Sequence, residues 1–509
     1  MAGKAEGRHD ASPRHAQRRI MPESRRARSV GVTLLSVAGE TIPAAQDHVA
    51  APSFHVPTVC RMSSDDSSDS PRRSDHGGMS ADEGDASRTA TDSTESPESR
   101  WTVFRTVSFP LFLAGNFCVI LGTQIQSTTV GWEVYRRTED PWYLGMVGLA
   151  QFAPILVFSL IGGRASDIFN RRAVLLAGLA GLAVASCGLA YTSLRNAPLW
   201  EFYAWLVLSG VARAFVQPSK SSFLPLIVPP AVFPSAVAWN MGVFQLASVG
   251  GPVLAGVMIA RLPRVGWIYA IDAVLIGVFI VCLLFVKVHA AQKRTTAEPL
   301  VESIQTGWRF VRSRKVILAA ITLDMLAVLL GGATALFPVF AEDILHVGSE
   351  GLGVMRGVSA AGALAMSVVL ALRSPLANGG RNLLWCVAGF GVATIVFGAS
   401  RNYWLSLATL FAMGALDMVS VVIRHTLVQT LTPDEMRGRV SAINGIFINA
   451  SNELGAFESG LVAKLFARAD NRAFGPTMAV VTGGMGTIAT VLLVARVWPE
   501  LGKWRETKE

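Results

Sequence analysis

Charged residues are scarce in this sequence: only 16% of its 509 residues are Asp, Glu, Lys or Arg. A soluble globular domain usually carries about 25%, and a large share of the charges present here falls in the first hundred or so residues. The length alone would allow several soluble domains. The lack of charge beyond the N-terminal stretch argues against that organisation.

Cysteine pairs and the motifs of soluble enzymes are also missing. None of the five cysteines forms a Cys-x-x-Cys pair, and four lie inside apolar blocks, where free cysteine behaves as a small hydrophobe. We therefore expect no disulfide framework and no metal site. The sequence has no Gly-x-x-x-x-Gly-Lys-Ser/Thr for an ATP-driven pump and no His-Glu-x-x-His. We expect no catalytic residues, no enzyme activity and no cofactor.

The charge that is present is basic, with a net charge of +9 and a pI of about 9.6. A basic chain can bind nucleic acid, but no basic stripe occurs here outside the N-terminal tail and the loops between apolar blocks. Cytoplasmic loops of membrane proteins need Lys and Arg, which explains the same excess. The expected partner is the lipid bilayer and not nucleic acid.

Long apolar blocks fill the chain from about residue 107 onward. About twelve blocks approach the length of roughly 20 residues that spans a bilayer. They run at 107–134, 143–163, 173–194, 199–219, 233–260, 265–287, 316–340, 351–372, 382–399, 403–423, 440–466 and 475–497. A span must satisfy its own backbone hydrogen bonds, so the predicted fold is an all-α integral membrane protein with twelve transmembrane helices.

Basic residues follow the even-numbered blocks, as at Arg164, Arg171 and Arg172 after the second. Because cytoplasmic loops are enriched in Lys and Arg, both termini are predicted to be cytoplasmic, in the plasma (inner) membrane. We predict a disordered polar tail (1–100), an N-terminal six-helix bundle (101–288), a cytoplasmic linker (289–315), a C-terminal six-helix bundle (316–498) and a cytoplasmic tail (499–509). An alternative hypothesis is that translation begins at Met62 or Met79, so that most of this tail is not part of the protein.

The linker contains an amphipathic stretch, Leu300–Arg314, with Ile304, Trp308 and Val311 on one side. It is predicted to lie on the membrane surface and join the two bundles.

An internal repeat supports the two bundles. A shift of about 204 residues carries the segment 210–256 onto 414–460 and superimposes Gly, Pro, Ala and Asn in one ungapped register. The matched pairs are Gly210 and Gly414, Pro229 and Pro433, Ala238 and Ala442, Asn240 and Asn444, Gly251 and Gly455, and Gly256 and Gly460. Parallel six-helix repeats with a central site describe a two-bundle transporter.

The segment after the second block reads Gly162-Gly163-Arg164-Ala165-Ser166-Asp167-Ile168-Phe169-Asn170-Arg171-Arg172. We expect a glycine turn with one acid and paired basic residues, although simple topogenic charge would give a similar pattern. Gly163-x-x-x-Asp167 followed by Arg171-Arg172 resembles the loop signature of the major facilitator superfamily. Ile168 stands where that signature has a basic residue. Asn170 stands where it has Gly, and Asn tolerates a left-handed backbone.

The second half resembles the branch of that superfamily that includes the bacterial enterobactin exporter. The matching stretches are LDMLAVLLGGATALFPVFA from Leu323, HVGSEGLG from His346 and PDEMRGRVSAINGIFINASNELGAFESG from Pro433. The resemblance covers about residues 100–500 and implies export of a small organic compound, siderophore-like or drug-like, coupled to the proton gradient. It also implies a cytoplasmic gate that stabilises an outward-open state, formed by Gly163, Asp167, Arg171, Arg172, Arg437 and Arg439.

Ionisable residues inside apolar blocks are candidates for coupling, because burying them in a membrane is expensive. The carboxylates Asp324, Asp417 and Glu453 could exchange protons, or could instead pair with buried arginines or helix ends. The resemblance marks Arg213 as the fourth-helix basic residue linked to proton coupling in related exporters, whereas a snorkelling arginine is the alternative.

Polar and small residues recur on shared helix faces. They are predicted either to line the cavity or only to pack helices together. The candidates are Asn116, Gln217, Gln245, Ser248, Gly251, Pro252, Gly256, Asn449 and Asn452. The predicted function is a secondary active exporter working by alternating access. A nutrient importer, a lysolipid transporter of the same fold and a non-transporting membrane sensor are the alternatives.

Overall fold

A computed structural model describes residues 103–105, 108–287, 300–372 and 378–505, which lie within one compact unit, Ala90–Glu509. The predicted disordered tail and the alternative start sites fall outside the described residues.

Long helices dominate the described part of the chain. We number twelve of them and call the shorter one after α6 the linker helix. The helices are α1 Ser108–Thr138, α2 Pro141–Ile168, α3 Arg171–Leu194, α4 Leu199–Ile227, α5 Phe233–Arg261, α6 Gly266–Phe285, the linker helix Leu300–Ser313, α7 Lys315–Gly331, α8 Gly348–Leu372, α9 Gly379–Ala399, α10 Tyr403–Thr430, α11 Asp434–Leu465 and α12 Phe474–Val497. After α7, short helical segments at Ala333–Leu336, Phe337–Val339 and Phe340–Ile344 continue the same course.

The fold is all-helical, as predicted. Eleven helical stretches of the described residues are long and apolar enough to cross a membrane. The exception among the numbered helices is α11, which is 32 residues long but carries Glu453, Glu458 and several asparagines. Each predicted apolar block coincides with one of the long helices, since a lipid-embedded backbone has no other way to satisfy its hydrogen bonds.

The segment between α2 and α3 differs from the expectation. Helix α2 continues through Gly163 and Asp167 to Ile168, so no glycine turn forms there. Asn170 has φ −61° and ψ 113°, which is extended and not left-handed, and its side chain accepts a hydrogen bond from the Arg172 backbone N–H. The residue therefore caps the start of α3, a role that Asn fills well.

The same packing pattern occurs twice along the chain. In the N-terminal half, α1 packs on α5 and α6, α2 on α4, and α3 on α4 and α6. In the C-terminal half, α7 packs on α11 and α12, α8 on α10, and α9 on α10 and α12. The halves meet where α5 packs on α8 and where α2 packs on α11. The sequence repeat is therefore accompanied by a repeat in helix packing.

The linker helix forms within the stretch predicted to be amphipathic. Its Val311 is fully buried, and its Trp308 stacks on Phe447 of α11 at 5.7 Å between ring centroids. It also packs on α7. Val311 is thus covered by the C-terminal half, whereas Trp308 stays partly exposed.

Candidate functional site

Ionic contacts join the two halves at one end of the helices, which we call the closed end. This end holds the α1–α2, α5–α6 and α11–α12 connections and the start of α8. The ion pairs are Arg136–Glu342, Arg261–Glu350, Lys464–Asp140 and Arg472–Glu139, and Tyr135 donates a hydrogen bond to Asp343. Each contact links a residue of the N-terminal half to one of the C-terminal half, so separating the halves here would break them together.

Close backbone contacts reinforce the closed end. A Cβ added at Gly256 of α5 would lie 2.5 Å from the Ser349 carbonyl oxygen and 3.1 Å from the Gly353 Cα, both on α8. A Cβ added at Gly460 of α11 would lie 2.8 Å from the Gly145 Cα on α2. Gly256 and Gly460 are equivalent positions of the repeat. Small residues at both sites allow the helices of opposite halves to approach closely.

A buried polar network occupies the middle of the N-terminal half. Gln126 of α1 donates from Nε2 to Ser186 Oγ and to Asp272 Oδ2, each at 2.9 Å. Ser186 Oγ donates to the same Asp272 oxygen at 2.6 Å. Arg213 of α4 donates to Gln126 Oε1 at 3.3 Å. Gln126 therefore connects the Arg213 guanidinium to the Asp272 carboxylate of α6.

Arg213 also faces the C-terminal half. Its charge interacts with Asp272 within its own half and with Glu453 of α11. Glu453 lies against α2, where a Cβ added at Gly148 would be 3.4 Å from Glu453 Oε2. Arg213 is half-buried and lies near a carboxylate of each half, and it forms no ion pair with either of them.

The candidate carboxylates of the C-terminal half are in different situations. Asp324 of α7 forms an ion pair with Arg424 of α10, and both side chains are almost fully buried. Asp417 of α10 has no ion pair or hydrogen bond to another described residue, and with Asp324 and Ser420 it lines a small cavity between α7, α9 and α10. Only Asp417 is therefore left without a compensating cation in that cavity.

The repeat relates these charges to those of α4. The shift that superimposes Gly210 on Gly414 places Arg213 on Asp417 and Lys220 on Arg424. Equivalent helices thus carry opposite charges at 213 and 417, and like charges at 220 and 424.

The other predicted polar candidates are dispersed. Asn116 is fully buried and donates to Asn240 Oδ1 at 2.7 Å, which joins α1 to α5. Ser248 is buried and Gln245 is half-buried, whereas Gln217 is exposed. Asn449 and Asn452 are exposed and donate to carbonyl oxygens one turn earlier in α11. Of the predicted small residues, Gly251 has a Cβ position 2.6 Å from Gln124 Cβ, and Pro252 is buried beside it.

Three of the predicted gate arginines have partners outside the predicted gate. Arg171 donates to the Ser222 carbonyl oxygen and Arg172 to that of Leu283, both within the N-terminal half. Arg437 pairs at 2.7 Å with Asp434 on its own helix. Arg439 contacts Met436 Sδ at 3.6 Å, Gly163 has open space around its Cα, and Asp167 lies in the last turn of α2. These residues lie at the opposite end of the helices from the closed end.

Sequence reasoning missed two basic residues within the helices. Arg356 of α8 donates from Nη1 to Ser127 Oγ at 3.3 Å and to Thr128 Oγ1 at 3.4 Å, both on α1. Lys220 of α4 shares a face with Arg213 and Gln217 at helical spacing. The signal was available, because Arg356 lies inside a predicted span and a basic residue there is a functional candidate by default.

Comparison with known sequences places the chain among membrane transporters. The family model described as Major Facilitator Superfamily matches residues 112–456. The enterobactin exporter of Citrobacter koseri is 25% identical over 400 residues, covering 78% of this chain and 92% of that protein. The enterobactin exporter of Escherichia coli (strain SE11) is 24% identical over 401 residues, covering 78% and 93%.

Solved transporter structures share the fold at low sequence identity. The nucleoside transporter NupG superimposes with a TM-score of 0.60 at 11% identity, covering 78% of this chain and 99% of that one. A D-xylose–proton symporter superimposes with a TM-score of 0.58 at 14% identity, covering 80% and 99%. These similarities concern the fold alone.

Proposed function

We propose, from the premise that the chain belongs to the Major Facilitator Superfamily, that it is a proton-coupled exporter of a small organic compound, siderophore-like or drug-like. Membership of a transporter family accounts for a role in transport, and the enterobactin exporters among its relatives favour the outward direction. No step of such a cycle requires a catalytic residue or a cofactor.

The proposed architecture has all twelve numbered helices spanning the inner membrane, in two pseudo-symmetric bundles, 101–288 and 316–498, joined by the linker at 289–315. The repeated packing pattern supports the two bundles. Counting α11 as a span is supported by its length and by its packing on α2, α7 and α12. The Lys and Arg of the α2–α3 and α6–α7 connections support cytoplasmic termini.

With that orientation the closed end faces outward, so the described conformation is inward-facing. A compound would enter between the halves from the cytoplasm, near the exposed Gln217, Asn449 and Asn452. Export then requires the outer ion pairs to break while the cytoplasmic ends approach each other. Asp167, Arg171, Arg172, Arg437 and Arg439 are at the correct end to stabilise that outward-open state, with Gly163 beside them.

The observation that carries proton coupling is the position of Arg213 between carboxylates of the two halves. While Glu453 is ionised, its attraction to Arg213 favours the approach of α11 to the N-terminal half. A proton on Glu453 removes that attraction and leaves Arg213 to Asp272, which it reaches through Gln126. Protonation thereby changes the free-energy difference between the two conformations, as coupling requires.

Asp417 is the second proposed proton site. Its carboxylate lines the cavity between α7, α9 and α10, is exposed, and has no cation partner among the described residues, so a proton can reach it. Asp324 is a weaker candidate, because its charge is compensated by Arg424.

The test is export by a strain that lacks the gene and is complemented with wild-type, Glu453→Gln or Glu435→Gln protein. Glu435 is the matched control, because it lies exposed in the first turn of the same helix. We expect wild-type and Glu435→Gln proteins to restore secretion of iron-chelating compounds or resistance to a toxic compound, and Glu453→Gln to fail. In proteoliposomes the wild-type flux should depend on the pH gradient.

Restoration by Glu453→Gln at the wild-type level would refute its role in coupling. Wild-type flux that is indifferent to a pH gradient would refute proton coupling altogether. Accumulation of compound inside complemented cells would favour an importer, and movement of labelled lysolipid would favour a lipid transporter.

A further inference from the structure

Arg356 stands apart from the other arginines that lie away from the ends of the spanning helices. Arg424 has an ion pair with Asp324, and Arg213 interacts with Asp272 and Glu453. Within the described part of the chain, Arg356 has no carboxylate partner. Its Nε is buried without any hydrogen-bond acceptor. Its only acceptors are two hydroxyl groups at 3.3 and 3.4 Å.

The position of Arg356 is fixed by close packing between the halves. A Cβ added at Gly353 would lie 2.5 Å from the Pro252 carbonyl oxygen, and one at Gly357 would lie 3.0 Å from that of Val249. This close approach of α8 to α5 brings the Arg356 guanidinium beside α1 of the other half. The side chain therefore bridges the two halves on the inner side of the ion pairs at the closed end.

A bridging contact alone does not explain an arginine here. Hydroxyl groups are neutral and cannot compensate the charge of the guanidinium. A neutral donor would satisfy them without that cost. A guanidinium instead offers a planar fork of donors that matches a carboxylate or a similar oxyanion.

We propose that Arg356 binds an anionic group of the transported compound, so that the substrate is an organic acid. This inference rests on the transport function proposed above. The anion would replace the hydroxyls of Ser127 and Thr128 as the acceptor, and so loosen a contact between the halves when substrate binds. Substrate binding would then favour opening of the closed end.

A second basic side chain supports the assignment. Lys220 also has no carboxylate partner among the described residues, and it lies two turns from Arg213 towards the cytoplasmic end of α4. It is the next cation that an organic acid entering from the cytoplasm would meet. The carboxylate without a cation, Asp417, is left to exchange protons.

Binding by the purified full-length protein in detergent tests the proposal, with salicylate as the acidic probe and salicylamide as its neutral counterpart. We expect salicylate to raise the melting temperature of the wild-type protein and salicylamide to have no such effect. Arg356→Gln should weaken salicylate binding by at least about tenfold, because a hydrogen-bonded charge pair is lost. Arg356→Lys should retain part of the affinity, which separates loss of charge from misfolding.

Two control variants distinguish a binding role from a structural one. Arg195→Gln removes one positive charge from the ion pair with Glu201, which lies within the N-terminal half, and should leave salicylate binding unchanged. Ser127→Ala combined with Thr128→Val removes the competing hydroxyls and should increase the affinity for salicylate. A purely structural arginine would lose its anchor in that double variant without any gain in binding.

Equal stabilisation by acid and amide, no stabilisation by salicylate, or full salicylate binding by Arg356→Gln would each overturn the proposal. This readout needs no flux across a membrane. If binding fails while proton-driven export is observed, only the substrate class is wrong. If Arg356-dependent binding is observed while the flux ignores the pH gradient, the anion site stands and the coupling mechanism fails.

Discussion

The buried ion pair between Asp324 and Arg424 allows a quantitative test of the C-terminal half. The Arg424 side chain is 3% exposed and that of Asp324 is 11% exposed, so neither charge can turn to water when its partner is removed. Breaking a buried pair from one side costs about 3–5 kcal/mol, because the other charge stays uncompensated. We expect Asp324→Asn and Arg424→Gln each to lower the free energy of unfolding by about this amount.

The double variant Asp324→Asn/Arg424→Gln should be more stable than either single variant. It holds no isolated charge, and replacing both partners of a buried pair by neutral groups is often close to neutral. The expected coupling energy is about 2 kcal/mol or more. The assay is reversible unfolding by SDS in mixed micelles. Asp417→Asn is the matched control, because the same chemical change in the same cavity removes no ion pair.

Additive behaviour would refute this reasoning. If the two single losses sum to the loss in the double variant within about 0.5 kcal/mol, the charges act independently and the pair is not a unit. A loss in Asp417→Asn as large as that in Asp324→Asn would also contradict it. The destabilisation would then reflect removal of any acid from the cavity and not a broken pair.

In proteoliposomes, Asp417→Asn should abolish transport driven by a pH gradient, while substrate exchange without a gradient persists. Loss of both activities would contradict a role confined to coupling. Gly256→Val should lower the transport rate at least about tenfold in protein that has inserted into the membrane, because a Cβ there would lie 2.5 Å from a backbone oxygen of α8. Gly242→Val is the control and should leave the transport rate unchanged, because a Cβ there would meet open space. Lys464→Gln removes the ion pair with Asp140 at the closed end and should raise the outward-open population by up to about fivefold. Distances between spin labels on α2 and α11 measure this population, and unchanged distances would refute the prediction.

The helices were predictable because lipid leaves the backbone few options. A block predicted at 173–194 is α3, Arg171–Leu194, and the amphipathic stretch from Leu300 became the linker helix. The prediction of a glycine turn at 162–163 was wrong for the same reason. Continuing the helix keeps backbone hydrogen bonds that a turn would break. Gly162 is explained by packing, because an added Cβ would collide with the backbone of Ala214 on α4.

The pairing of side chains could not be read from sequence in the same way. Asp324 and Asp417 are both acids in apolar blocks, and the pairing of Asp324 with Arg424 depends on how α7 is rotated against α10. Gln126 likewise gave no sign that it would connect Arg213 to Asp272. Hydrophobic pattern fixes where a helix runs, but contacts between helices far apart in sequence depend on packing that no local pattern encodes.

The internal repeat also bears on how the two halves divide their tasks. The register that superimposes Gly210 on Gly414 pairs a cation at 213 with an anion at 417 on equivalent helices. The opposite charges at these equivalent positions have different surroundings, and we infer that they serve different tasks. Arg213 can hold carboxylates of both halves, while Asp417, with no cation to satisfy, is left free to bind a proton.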